Sequence, residues 1–213
     1  MKLLLLADHE ERALWDDWNN STAQKLSDVD LILSAGDLNA DYLEFLVTML
    51  NVPLVYVRGN HDGQYDKKPP EGCVDADGRI VEVACGKGAA KEKVRILGLG
   101  GSMRYKDDAA DMYTEKEMSR RIAGLRKAFF RDRLRGKSGF DILLTHAPCK
   151  GHGDMEDIAH TGFECFNQLL GKHHPKLHVY GHVHKEYGQI ESTMIHESGT
   201  KLINASGHYI VEI

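Results

Sequence analysis

Apolar residues along this chain come in short blocks that stop abruptly on charged or glycine-containing clusters. Lys2 to Ala7 is such a block, halted by Asp8-His9-Glu10, and Leu31-Ile32-Leu33-Ser34 is a second, broken by Gly36-Asp37. Leu54 to Val57 is a third, closed by Gly59-Asn60-His61-Asp62. Each block has the length of a buried strand. Between the second and third, Ala40 to Leu50 places Tyr42, Phe45, Leu46 and Met49 on one side, which predicts an amphipathic helix. Strand, polar loop, helix and strand in succession define a layered α/β fold. Its polar loops fall at the carboxyl ends of strands, where such sheets place ligands.

The middle of the chain is less regular. Gly63 to Gly78, with Pro69-Pro70, reads as an irregular surface excursion. Arg79 to Val83 and Val94 to Leu97 are strand candidates separated by a Gly-Lys-Gly turn at 86–88. Thr114 to Arg135 is the longest helical segment, and Thr114 followed by Glu117 predicts a capping box. Asp141 to Thr145 is a strand met at once by His146. Gly162 to Leu170 reads as a helix stopped by Gly171. Leu177 to Tyr180 is a strand ending in Gly181-His182-Val183-His184, and Tyr187 to Ile213 reads as antiparallel hairpins.

Composition adds limits. The chain has 213 residues, 42% hydrophobic and 28% charged, so residues 1–213 are expected to form one domain with an ample core. The net charge of −5 disfavours a coat for long nucleic acid, and with no aromatic-basic interleaving a nuclease is disfavoured too. A small phosphate-bearing substrate stays open, because a metal can supply positive charge locally. The apolar run at Leu3 to Ala7 is too short for a signal peptide, and no stretch approaches a membrane span. Cys73, Cys85, Cys149 and Cys165 show no Cys-x-x-Cys spacing, so free thiols in a reducing, cytoplasmic setting are expected.

Histidine changes the picture most. There are 12, and His146, His182 and His184 follow strand candidates directly. Taken singly, a Gly-Asp or an Asn-His in a loop is an ordinary turn. Together, five successive strands end in carboxylate, amide or imidazole groups, and strand ends converge on one edge. Such a mixed oxygen and nitrogen set suits a pair of first-row metal ions. The glycine-rich stretch at 98–101 is not a dinucleotide fingerprint, since Met103 stands where the third glycine belongs.

The ordered set Gly36-Asp37, Gly59-Asn60-His61-Asp62, Thr145-His146 and Gly181-His182-Val183-His184 resembles the calcineurin-like metallophosphoesterases. Gly98 to Ser102, Thr145-His146-Ala147-Pro148 and Ile203-Asn204-Ala205-Ser206 fit their small bacterial-type members, and the likeness spans the whole chain. It implies a two-sheet β-sandwich flanked by helices and a binuclear metal centre whose bridging hydroxide attacks a phosphoester. Asp37 would bridge the metals, Asp8 and His184 would sit on the first, and Asn60, His146 and His182 on the second. His61 would be the general acid, its ring oriented by Asp62 or Asp41, a choice the sequence leaves open. The likeness does not separate phosphodiesterase from phosphomonoesterase. A metal-binding regulatory protein of the same fold is the rival reading.

One position departs from the pattern. The first motif in that family is Asp-x-His, and the matching residue here is Glu10. Because side chains alternate along a strand, Asp8 and Glu10 are expected to share a face, with Glu10 on the first metal and His9 turned away. The additional carboxylate would favour Mn²⁺ or Fe over Zn²⁺ or Ni²⁺. Arg104 is a candidate phosphate contact. His152, Asp154, Asp157 and His160 lie in a loop near the expected cleft, and His173, His174, His178, His196 and His208 read as surface or packing residues.

Overall fold

A computed structural model describes residues 1–86, 91–107, 109–136, 139–184 and 191–213. In chain order its first half contains β1 (Lys2–Ala7), α1 (Asn20–Lys25), β2 (Leu31–Ser34), α2 (Ala40–Leu50), β3 (Leu54–Tyr56) and β4 (Val74–Asp75). There follow β5 (Arg79–Cys85), β6 (Glu92–Leu99), β7 (Ser102–Met103), β8 (Met112–Tyr113), α3 (Glu115–Gly124) and α4 (Arg126–Leu134). The last part holds β9 (Ile142–Thr145), α5 (Glu164–His173), β10 (Leu177–Tyr180), β11 (Thr193–Ile195), β12 (Lys201–Asn204) and β13 (Gly207–Glu212).

Two mixed sheets pack face to face. One has the order β13-β1-β2-β3-β4, and the other β11-β12-β10-β9-β6-β5. Parallel ladders run from β1 to β4 and from β12 to β6, with antiparallel strands at the edges. Alternation decides which layer each side chain joins. Leu3 and Leu5 of β1 enter the inter-sheet core with Leu33, Val55, Ile142, Leu144 and Val179. Leu4 and Leu6 point the other way, onto Tyr42, Leu43 and Leu46 of α2. The second sheet does the same, turning Leu97, Leu143 and Leu202 towards Phe166 and Leu169 of α5. A strand buried on both faces cannot alternate in polarity, which is why its sequence reads as an unbroken apolar run.

Several expectations need correction. The excursion at 63–78 contains a short 3-10 turn (Gly63–Asp66) and β4, which extends the first parallel ladder. The long helix begins on the predicted Thr114/Glu117 capping box but is interrupted at Leu125, after Gly124, so it is two helices. Gly171 does not stop α5, which runs to His173 and closes on left-handed His174 (φ 47°). Among the described residues of the tail, β11 pairs antiparallel with β12, and β13 then crosses to pair with β1 in the other sheet. The turn predicted at 86–88 falls mainly on residues outside the described set. Among the described residues, no helix is long and apolar enough to cross a membrane.

Buried between β10 and its neighbours, His178 titrates with the fold. Thr145 Oγ1 is 2.6 Å from the Ala147 carbonyl and 2.8 Å from His178 Nε2. The carbonyl can only accept, so the hydroxyl proton goes there and His178 Nε2–H donates to Thr145. Nδ1 is left bare and has no partner among the described residues. Burial, aided by His196 and His152, pushes the ring down to about 3. The unfolded chain binds a proton at about pH 6.5 that the folded chain refuses, so stability falls as pH drops below that value. Urea melts of wild type and His178→Leu at stepped pH should show the wild type losing more stability between about pH 6.5 and 4. Parallel losses would contradict the assignment.

Candidate metal centre

The carboxyl ends of both parallel ladders meet at one edge, and the backbone there is unusual. Asp8, Asp37 and His182, each the pivot of a strand-end loop, hold left-handed conformations (φ 64°, 57° and 70°). Each such turn costs a non-glycine residue roughly 1 kcal/mol or more. Hydrogen bonds hold them: the Asp37 and Gly59 N–H groups donate to Asp62 Oδ2 (2.8 and 2.7 Å), and His182 N–H donates to the Asp8 carboxylate (2.9 and 3.1 Å). The loops after β2 and β3 then lie so close that a Cβ on Gly59 would meet Asp37 Oδ1 at 2.0 Å. Only glycine fits there.

Four donors converge above these turns. His146, fully buried after β9, has Nδ1 2.8 Å from the Ala35 carbonyl, so Nδ1 carries the proton and Nε2 is bare in the neutral ring. Around that Nε2 stand Asn60 Oδ1 (3.0 Å), His182 Nδ1 (3.1 Å) and Asp37 Oδ2 (3.4 Å). His182 in turn has Nε2 2.8 Å from the Ala159 carbonyl, which fixes its proton there and bares Nδ1. Two unprotonated imidazole nitrogens and a carboxylate oxygen thus face one another, and Asp37, His146 and His182 could hold a metal. The electrostatics agree. Burial resists a charged His146, but Asp37 beside it lifts the ring to about 9. Burial likewise resists a charged Asp37, yet His146 brings it to about 2, while burial and His146 push His182 down to about 3. The cluster demands positive charge at its centre, and a divalent cation fits it.

Asp8, Asp37, His61, His182 and His184 line a cleft of about 400 Å³ over this cluster. The structure therefore brings together Asp8, Asp37, Asn60, His61, His146, His182 and His184. It does not bring Glu10, whose Oε1 accepts from the Asn39 N–H at the start of α2 (3.1 Å). The physical reason is Asp8. Strand alternation presupposes extended backbone, and the left-handed turn at Asp8 ends it, so the His9 ring stands edge-on to His184 with centroids 4.6 Å apart. Arg104 is also elsewhere, paired with Glu117 (3.0 Å) and donating to the Met112 carbonyl (3.1 Å). Of the two carboxylates offered for orienting His61, Asp62 holds the loop backbone and Asp41 pairs with Lys68. The cleft wall also includes Tyr105, whose hydroxyl is 3.4 Å from Asn60 Nδ2, and His160, with Nδ1 on Asp157 (2.9 Å). Tyr105 follows the glycine-rich stretch at 98–101, and no chemical spacing in the sequence marks it.

Comparison with known proteins identifies the family. Residues 1–186 match the calcineurin-like phosphoesterase family, and the chain belongs to it. TT1561 of Thermus thermophilus superposes with a TM-score of 0.61 at 15% identity, covering 97% of this chain and 89% of that one. A second solved structure gives 0.63 at 14% identity over 99% of this chain and 94% of its own. These show the shared fold. UPF0046 protein T07D4.2 of Caenorhabditis elegans is 43% identical over 53 residues, which is 24% of this chain and 13% of that protein. Metallophosphoesterase domain-containing protein 1 of Homo sapiens is 35% identical over 71 residues, 32% of this chain and 20% of that protein. The matched stretches are thus a small part of those relatives.

Asp62 is 1% exposed, so Asp62→Ala leaves two buried N–H groups without an acceptor. The variant should lose about 2–4 kcal/mol of stability, read by denaturant melts, and bind metal more weakly because Asp37 loses its anchor. Glu10→Ala should keep the full metal content of the wild type, measured by elemental analysis. Loss of one equivalent would return Glu10 to the ligand set.

Proposed function

We propose that this protein hydrolyses small phosphoesters with two divalent metal ions held at the sheet edge. The observation that carries the reading is the crowding of an amide oxygen, an imidazole nitrogen and a carboxylate oxygen around His146 Nε2, a donor set that a metal cation fits. Asp8 and His184 would hold one ion, Asn60, His146 and His182 the other, and Asp37 both. When bound, such ions supply Lewis acidity towards phosphate oxygens and lower the pKa of water.

The chain's own residues supply the rest. Asp37 is fixed from two sides, its N–H on Asp62 and its Oδ1 accepting the His61 N–H (2.9 Å). The latter bond also fixes the backbone that carries His61 into the cleft. The His61 imidazole is the group we assign to protonate the leaving oxygen, a general-acid task that an imidazole side chain can perform. Tyr105 and His160 close the wall against which a substrate would lie. With Glu10 turned to Asn39, the case for a hard, carboxylate-rich first site loses its footing. The remaining donors, two carboxylates, an amide and three imidazoles, suit Mn²⁺, Fe or Zn²⁺.

Aryl phosphate monoesters and diesters assayed in parallel should show turnover that chelation abolishes and added Mn²⁺ restores. A fully metal-loaded protein without turnover on either would favour the regulatory reading. His61→Ala should slow poor leaving groups by roughly 10²-fold or more and activated aryl leaving groups far less. Equal losses would contradict the acid role.

A further inference from the structure

A second set of donors lies outside the cleft. His152 sits in the loop after β9, and His196 and Glu197 in the turn between β11 and β12, with one donor atom from each within 4.8 Å of the others. Glu197 reaches both rings, its Oε1 3.3 Å from His152 Nε2 and its Oε2 3.1 Å from His196 Nε2. The ring centroids are 4.8 Å apart.

The far side of each ring decides what these nitrogens can do. His152 Nδ1 is 3.2 Å from the Lys150 carbonyl, which can only accept, so Nδ1 holds the proton and Nε2 is bare. His196 Nδ1 is 2.8 Å from Ser198 Oγ, which is 2.9 Å from Thr200 Oγ1, itself 2.8 Å from the Pro175 carbonyl. Thr200 gives its proton to that carbonyl and accepts from Ser198, so Ser198 accepts from His196 Nδ1–H. The Ser198 N–H, 3.0 Å from Nδ1, favours the opposite tautomer. Adopting it would leave the Ser198 or Thr200 oxygen facing an acceptor with no proton between them. That chain's own choice sets Nδ1–H against the Ser198 N–H, so each tautomer of His196 leaves one contact unmet, and Nε2 is bare in the one that the hydroxyl chain selects.

In that tautomer two imidazole lone pairs and a carboxylate point at one another, with the ring protons on the outside. Outer partners that fix the tautomer in this way are a feature of metal-binding histidines. A proton can bridge one pair and leaves the other in conflict, whereas a metal ion satisfies all three. Two imidazoles and a carboxylate are also a donor set of the zinc class. We propose that His152, His196 and Glu197 form a further divalent-cation site of the zinc class, separate from the cleft. It would tie the loop after β9 to the β11–β12 turn. That loop also carries the Ala159 carbonyl that orients His182 and the His160 ring on the cleft wall, so the cation would steady part of the candidate centre.

Zinc content after equilibrium dialysis tests this without reference to turnover. Wild type should hold one equivalent more than Glu197→Ala, a change at a side chain 77% exposed and therefore harmless to folding. In an Asp37→Asn/His146→Gln background, which disables the cleft, one equivalent should remain and should disappear when His152→Ala is added. Cobalt substitution of that background should give the intense visible bands of a tetrahedral site. Equal zinc content in wild type and Glu197→Ala overturns the proposal, as does a folded cleft-disabled protein that binds no zinc. Should that background fail to fold, the wild type and Glu197→Ala comparison decides alone.

Discussion

At the edge where the two sheets meet, the fold presses together electron-pair donors that demand positive charge between them. His146 Nε2 has an amide oxygen, a second imidazole nitrogen and a carboxylate oxygen around it, all within 3.4 Å. The arrangement persists because the proton on each ring is tied to a backbone carbonyl on the far side, Ala35 for His146 and Ala159 for His182. The rings cannot turn to avoid each other without breaking those bonds. Fold stability is thereby used to hold a deficit of positive charge in place, and that deficit suits the edge to a cation.

Holding it requires backbone that most residues avoid. Among the described residues, three of the six non-glycine residues with positive φ, Asp8, Asp37 and His182, line the candidate site. Each turns the chain sharply at the end of a buried strand and aims a polar side chain back over the sheet. The cost is offset by the inter-sheet core beneath and by carboxylates that accept backbone N–H groups at the turns. The acidic residues here share structural and chemical roles: Asp62 serves the backbone, whereas Asp37 and Asp8 each accept a backbone N–H and also line the cleft.

Much of this was legible in the sequence. Doubly buried strands show as apolar blocks, and the polar clusters that end them mark the edge where ligands gather. What the sequence hid were events set by backbone geometry or by distant packing. Alternation placed Glu10 beside Asp8 and failed because Asp8 leaves the extended region. Arg104 looked free to meet a phosphate until α3 placed Glu117 against it. Gly171 has the character of a helix stop, yet the packing of Leu169 and Leu170 against the second sheet carries α5 past it. The crossing of β13 to the first sheet has no local signature, since its partner β1 lies at the other end of the chain.

The hydrogen bond from His182 to Asp8 joins residues 174 positions apart. Closing a loop of that size is entropically slow and rewards the chain only when both sheets are already in register. An ion held at this edge would accordingly be captured late, since the full set of donors exists only in the finished architecture, and occupancy would report that folding has gone to completion.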